Sequence, residues 1–149
     1  MARPLDDAPL DAARYPFAHP IRVRFAETDA MGVVHHGSYI PWLEETRVAL
    51  LAHGGHDYAE VHSGGLDLAV VDLAARYRRA VRFGDDVIVH AGVAEASGAL
   101  IRIAYLVVAN GEIALSAVTT HACVGRDGRP VRVPAWLAGL AEGPTALRG

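Results

Sequence analysis

The chain has 149 residues, 52% apolar and 21% charged, which suits one domain with a real core and excludes a disordered chain. A net charge of −3 and a pI of about 6.2 argue against a general nucleic-acid binder, which carries a basic face to neutralise phosphates. The single cysteine, Cys123, excludes an intramolecular disulfide and fits a reducing compartment. Residues 1–19 contain Pro4, Pro9 and Pro16 and no sustained period, so they read as a mobile N-terminal arm. They also lack the apolar segment of a signal peptide. Ile21 to Phe25 alternates apolar residues with Arg, as a half-buried strand does. After a loop, Ser38 is a candidate cap for a helix running to about His53, with Pro41 tolerated in its first turn. Ile40, Leu43, Val48, Leu50 and Leu51 are spread widely around that helix, so most of its faces should be covered. Gly54-Gly55 stops it.

Everything beyond the helix reads as strand. Leu66 to Val81 is a long extended run, and Val87, Val89, Ala91 and Val93 alternate with other residues after the Gly84-Asp85-Asp86 turn. Leu100 to Ala109 follows a turn at Ser97-Gly98, and Asn110-Gly111 is a tight hairpin signal leading to Ile113 to Val124. A short helix is expected from Pro134 to Leu140, and residues 142–149 form a tail to a single domain over 20–141. No apolar stretch approaches the roughly 20 residues that span a bilayer, so no membrane span and a cytoplasmic location are expected. Short turns imply antiparallel neighbours. The expected fold class is therefore α+β: an antiparallel sheet of about five strands with one long helix on it. One helix covers one face, so the apolar second face should meet another subunit.

The chemistry should lie in Thr28-Asp29-Ala30-Met31-Gly32-Val33-Val34-His35-His36-Gly37-Ser38-Tyr39. It sets a carboxylate at a strand end, a glycine in a loop, and then a helix start. A helix N-terminus has unpaired N–H groups and a partial positive charge, which suit a developing oxyanion. A carboxylate beside it could attack a carbonyl or activate water. The simpler reading is an Asp in a turn before a capped helix, which is common.

The segment RFAETDAMGVVHHGSYIPWLEETR resembles the active-site region of the 4-hydroxybenzoyl-CoA thioesterase family, and within it the acyl-CoA thioesterase branch associated with the Tol-Pal cluster. Thr28, Asp29, Gly32, Val33, Val34, His36, Tyr39, Glu44 and Arg47 stand in register with that branch. YRRAVRFGDDVIV is similar to a further family segment, with Ala80 in place of a proline, and TTHACVGRDGRPVRVP to its final hairpin. The resemblance implies a hotdog fold, an antiparallel sheet wrapped around one long helix, in a homodimer or homotetramer with active sites at the dimer interface. It implies that Asp29 is the catalytic carboxylate. It also implies that His36 contributes to catalysis, with its backbone N–H polarising the thioester carbonyl. Two positions depart from the pattern: Glu27 stands two before Asp29, and Phe25 replaces a nearby tyrosine.

Gly32, Val33, Val34 and Tyr39 are then expected around the substrate, and Glu44, on a helix face similar to that of His36, in an acyl pocket or as a partner of Arg47. Arg76 and Arg78, on one face of a strand, are candidates for coenzyme A phosphates, with Arg126 and Arg129 as a second pair. His35 and His36, with His53, His56 or His121, have no recognised ligand spacing, so no metal is expected. No cofactor is expected either, coenzyme A being part of the substrate. The implied activity is hydrolysis of an acyl-CoA to free acid and CoA. Alternatives are an acyl-carrier-protein thioesterase of a fatty-acid or polyketide pathway, and a non-catalytic acyl-CoA-binding hotdog protein.

Overall fold

The structure is a computed structural model that describes residues 8–149; the first seven residues of the expected arm lie outside it. Five strands, β1 (Phe17–Ile21), β2 (Asp67–Tyr77), β3 (Val87–Ser97), β4 (Leu100–Ala109) and β5 (Glu112–Val124), form one sheet in the order β1-β3-β4-β5-β2. All neighbours are antiparallel. The β4–β5 hairpin turns at Asn110 (φ 50°) and Gly111 (φ 80°), the positive φ pair its sequence demands. Helix α1 (Tyr39–His53) lies on one face. It buries Trp42, Leu43, Leu50 and Leu51 in the same core as Ile101, Ile103, Tyr105 and Val107 of β4.

Four expectations are corrected. The first strand is Phe17–Ile21, not Ile21 to Phe25. Pro20 does not stop it, because β1 is an edge strand paired only with β3 and needs fewer N–H donors. The chain then leaves the sheet because the Glu27 carboxylate takes the Arg24 N–H at 2.7 Å and closes a 3₁₀ turn over Phe25–Glu27. Second, Ser38 does not cap α1; its residue is already helical and its side chain makes no cap bond. A 3₁₀ turn, His36–Ser38, precedes α1, and His35 caps it, Nδ1 accepting from the Gly37 N–H at 3.1 Å. Third, a short helix α2 (Tyr58–Ser63) stands where only strand was expected, capped by Asp57. Its signal was present in Asp57 followed by Glu60 in the first turn. Fourth, most faces of α1 are not covered: Ile40 and Val48 are exposed, and Thr46 and Arg47 are buried in their stead.

The second sheet face also differs from expectation. Its centre, Ala104, Leu106 and Val118, is buried by this chain's own termini, with Ala8, Tyr15 and Leu147 packed on it. Tyr15 donates to the Pro9 carbonyl at 2.8 Å, and the Arg148 N–H to the Arg14 carbonyl at 2.8 Å. The inference of a second subunit from this face therefore lapses. The alternation of the strands predicts two apolar faces, but segments without periodicity give no sign of what they cover. Helix α3 (Ala135–Ala138) begins where expected and gives way to a 3₁₀ turn, Gly139–Ala141.

Candidate active site

Asp29 sits in a tight loop that folds back on itself. Its N–H donates to the Val33 carbonyl at 2.8 Å, and its carbonyl accepts from Gly32 at 2.9 Å. Gly32 has φ +77°, a backbone state that favours glycine. The carboxylate Oδ1 accepts from the Met31 N–H at 2.8 Å and the Val33 N–H at 3.4 Å. Oδ1 is thus fixed by backbone, and the second oxygen is left for other work. Val34 ties the loop to the rest of the fold, its N–H donating to the Val81 carbonyl at 2.8 Å.

Glu27 anchors the same loop from below. The residue is 5% exposed; its carboxylate accepts from Trp42 Nε1 at 2.9 Å, and its carbonyl accepts from the His35 N–H at 2.7 Å. This buried acid joins the loop to α1, a role the sequence pattern did not assign to it. The far wall comes from β2. The Tyr77 hydroxyl donates to the His36 carbonyl at 2.6 Å, and its ring meets Tyr39 edge-on at 5.5 Å. Burial raises the pKa of the Tyr39 hydroxyl, an effect the Val81 backbone opposes.

These elements enclose a cleft of about 400 Å³ lined by Asp29, Val33, Val34, His36, Tyr39 and Arg78, among others. The sequence reading is thereby gathered in one place for six of its site residues, with Gly32 in the adjoining turn. The His36 N–H is the first of its 3₁₀ turn and has no intrahelical acceptor. A carboxylate and the start of a helix therefore border one cavity, an arrangement able to polarise a carbonyl and deliver an oxygen nucleophile to it.

Other candidates lie elsewhere. Arg76 is exposed opposite Ser116 and does not line this cleft, whereas Arg78 lines it and donates from Nε to Ser116 Oγ at 3.2 Å. Arg126 is engaged with the Ser63 carbonyl at 2.7 Å, and Arg129 lies 3.8 Å from Asp127, so neither reaches Asp29's cleft. Glu44 lines a separate pocket of about 260 Å³ with Arg47, Thr119 and His121. That polar group escaped the sequence reading, although His121 stands out as an imidazole between the hydroxyls and apolar residues of β5. His35 and His36 are ring neighbours at 4.1 Å, while His56 stacks on Trp136 and His121 bonds to Thr119, so these histidines do not converge.

A family model described as the thioesterase-like superfamily matches residues 23–140. The chain belongs to that superfamily. It is 32% identical over 114 residues to YneP of Bacillus subtilis, provisionally named an acyl-CoA thioesterase, covering 75% of this chain and 83% of that one. It is 30% identical over 120 residues to the acyl-CoA thioesterase YbgC of Haemophilus influenzae, covering 79% and 88%. Among solved structures, the DHNA-CoA thioesterase of Staphylococcus aureus superposes with a TM-score of 0.74 at 31% identity, over 77% of this chain and 78% of that one. The expected hotdog fold is thus correct, and the superfamily's chemistry, thioester hydrolysis, makes this chain an enzyme of that class. No helix among the described residues is long and apolar enough to cross a membrane.

Proposed function

We propose that this chain hydrolyses acyl-CoA thioesters in the cytoplasm, with Asp29 as the catalytic carboxylate, and that it stands near the Tol-Pal-associated branch. The observation that carries this reading is the shared cleft of Asp29 and His36, with Oδ1 of Asp29 fixed by two backbone N–H groups. The thioester oxygen faces the His36 N–H, where the helix-start field favours the charge that forms. By one route Asp29 attacks the carbonyl carbon, the C–S bond breaks, the CoA thiolate leaves and is protonated, and water cleaves the mixed anhydride. By the other, Asp29 takes a proton from water as its oxygen adds to the carbon, and the same C–S bond breaks. Both consume one water and yield acid and CoA.

Arg78, at the cleft, is the better candidate for a CoA phosphate, and Arg76 is the weaker because it lies off the cleft. The reading includes a homodimer or homotetramer. Its support is β2, a sheet edge with exposed Val70, Val71 and Leu73 beside the active-site wall. A screen of acyl-CoAs from acetyl to palmitoyl, with aromatic members, followed by thiol release, tests the activity. Arg78→Glu should raise KM more than it lowers kcat, the pattern of binding shared by ground and transition states. Carrier-protein thioesters hydrolysed in preference to every CoA ester, with KM unmoved by Arg78→Glu, would favour the carrier-protein alternative.

A further inference from the structure

The pocket beside Glu44 has apolar walls and a polar floor. Ile40 and Leu43 of α1 face Val70 and Leu73 of β2, and the floor is Arg47, Tyr105, Thr119 and His121. Arg47 is 8% exposed and His121 is 1% exposed. Thr119 Oγ1 lies 2.8 Å from both the Tyr105 hydroxyl and His121 Nε2, so those groups satisfy one another. Arg47 Nη1 is buried without a hydrogen-bond partner among the described residues, and His121 Nδ1 makes no bond of good geometry, though the Leu68 backbone lies close enough to raise the pKa of the ring. Buried polar atoms are nearly always paired, and an unpaired N–H of a cation is the costliest kind to leave. Arg47 has a partial substitute, its guanidinium lying 5.5 Å over the Tyr58 ring, but that engages the face of the group and not its N–H donors.

The pocket and the Asp29 cleft lie between the same two elements. Tyr39 and Tyr77 line the cleft, while Ile40 and Leu73, one position along α1 and four along β2, line the pocket. From Tyr39 to Arg47 the helix rises about 12 Å, and Arg47's side chain leans back toward the N-terminus. An extended chain advances roughly 1.2 Å per bond, so about seven to ten carbons separate a thioester at the cleft from the pocket floor. Arg47 and the exposed Glu44 are the one cation and the one anion of the lining, and His121 is neutral near pH 7, its pKa pushed down to about 4 by burial and then by Arg47, with the Leu68 backbone opposing.

Resting on the thioesterase reading above, we infer that this pocket selects acyl groups carrying an uncharged oxygen, a hydroxyl or a carbonyl, near the end remote from the thioester. Arg47 Nη1 donates to that oxygen, and His121 lies beside it. A plain alkyl end would leave the buried N–H unpaired, and a carboxylate end would bring a second anion to a pocket already balanced by Glu44.

The test is kcat/KM for three CoA thioesters of equal length in the seven-to-ten-carbon range, one plain, one with a distal hydroxyl and one with a terminal carboxylate. The hydroxylated ester should exceed both others by about tenfold or more, as a site built to bond an oxygen rejects analogues that lack it. In Arg47→Met, which keeps an apolar stem, the ratio of hydroxylated to plain ester should fall to within about threefold, since its cause is one lost donor. Equal rates for plain and hydroxylated esters in the unaltered protein, or preference for the carboxylate, overturn the inference and leave the thioesterase reading standing. A preference that survives Arg47→Met also overturns it. Failure to hydrolyse any of the three while shorter, longer or aromatic esters are turned over overturns this inference alone, and failure across the whole acyl-CoA screen overturns both readings. The comparison in the unaltered protein decides even if the variant does not fold.

Discussion

The Tyr77 hydroxyl donates a 2.6 Å hydrogen bond to the His36 carbonyl, fastening the edge strand of the sheet to the turn that opens α1. That turn brings His36 to the cleft wall, so a bond from β2 steadies the helix start on which the proposed oxyanion binding rests. Tyr77→Phe removes the hydroxyl and keeps the ring against Tyr39. The expected result is a fall in kcat of about 5- to 10-fold and a stability loss of about 1 kcal/mol, or roughly 2–4 °C in Tm for a chain of this size. Steady-state kinetics and thermal melts read both, and an unchanged kcat would detach β2 from the site.

The outer sheet face is closed by the termini, and Gly92 is where they come nearest. A Cβ at this position would lie 2.7 Å from Pro16 Cδ and 2.8 Å from Leu147 Cδ2. Gly92→Val must therefore push both segments off β3, at a cost of about 1–3 kcal/mol by overpacking. Hydrogen exchange should speed up at the Arg148 and Leu147 N–H groups, which donate to Arg14 and Val93 carbonyls. Unaltered melting and exchange would show that these segments do not cover the face in solution.

His121 makes stability depend on pH. Its pKa is pushed from an ordinary 6.5 down to about 4 by burial and by Arg47. Between those values the unfolded chain binds a proton that the folded chain refuses. The stabilisation is complete above about pH 6.5, declines as pH falls, and is gone below about pH 4; its full size is up to about 3 kcal/mol. Carboxylates also titrate in the lower part of this window, so the comparison must be with His121→Gln. The unaltered protein should lose stability more steeply than the variant from pH 6.5 to 4 in urea titrations. Parallel curves would mean that His121 is not held neutral.

Much of this architecture was legible in the sequence. The β4–β5 hairpin announced itself through Asn110-Gly111, α1 through the span from Ser38 to Gly54, and the cleft through the run from Thr28 to Tyr39. What escaped was set by tertiary partners. Phe17–Ile21 became a strand because β3 offered it an edge, despite Pro20. Arg47 and Thr46 were buried on α1 because Tyr58 and the helix's own Trp42 carbonyl accommodate them, the latter accepting from Thr46 Oγ1 at 2.7 Å. Tyr77 reads as one residue among basic neighbours until the alternation of β2 sets it on the same face as Ala75, half-exposed and against Tyr39. The polar floor under Arg47 joins α1, β4 and β5, and no spacing along the chain reveals such a meeting.

Both proposed routes of hydrolysis require the Asp29 carboxylate. The decisive measurement is kcat for the best acyl-CoA with purified Asp29→Asn, its fold checked by circular dichroism and its assembly by light scattering. Asn keeps the size and an oxygen able to accept from the Met31 and Val33 N–H groups, but it neither attacks a carbonyl as a carboxylate does nor takes a proton from water. The loss should be on the order of 100-fold or more in kcat with KM little changed, and His36→Ala should cost less because its backbone N–H survives. A folded Asp29→Asn protein that turns over at near the unaltered rate would contradict the account.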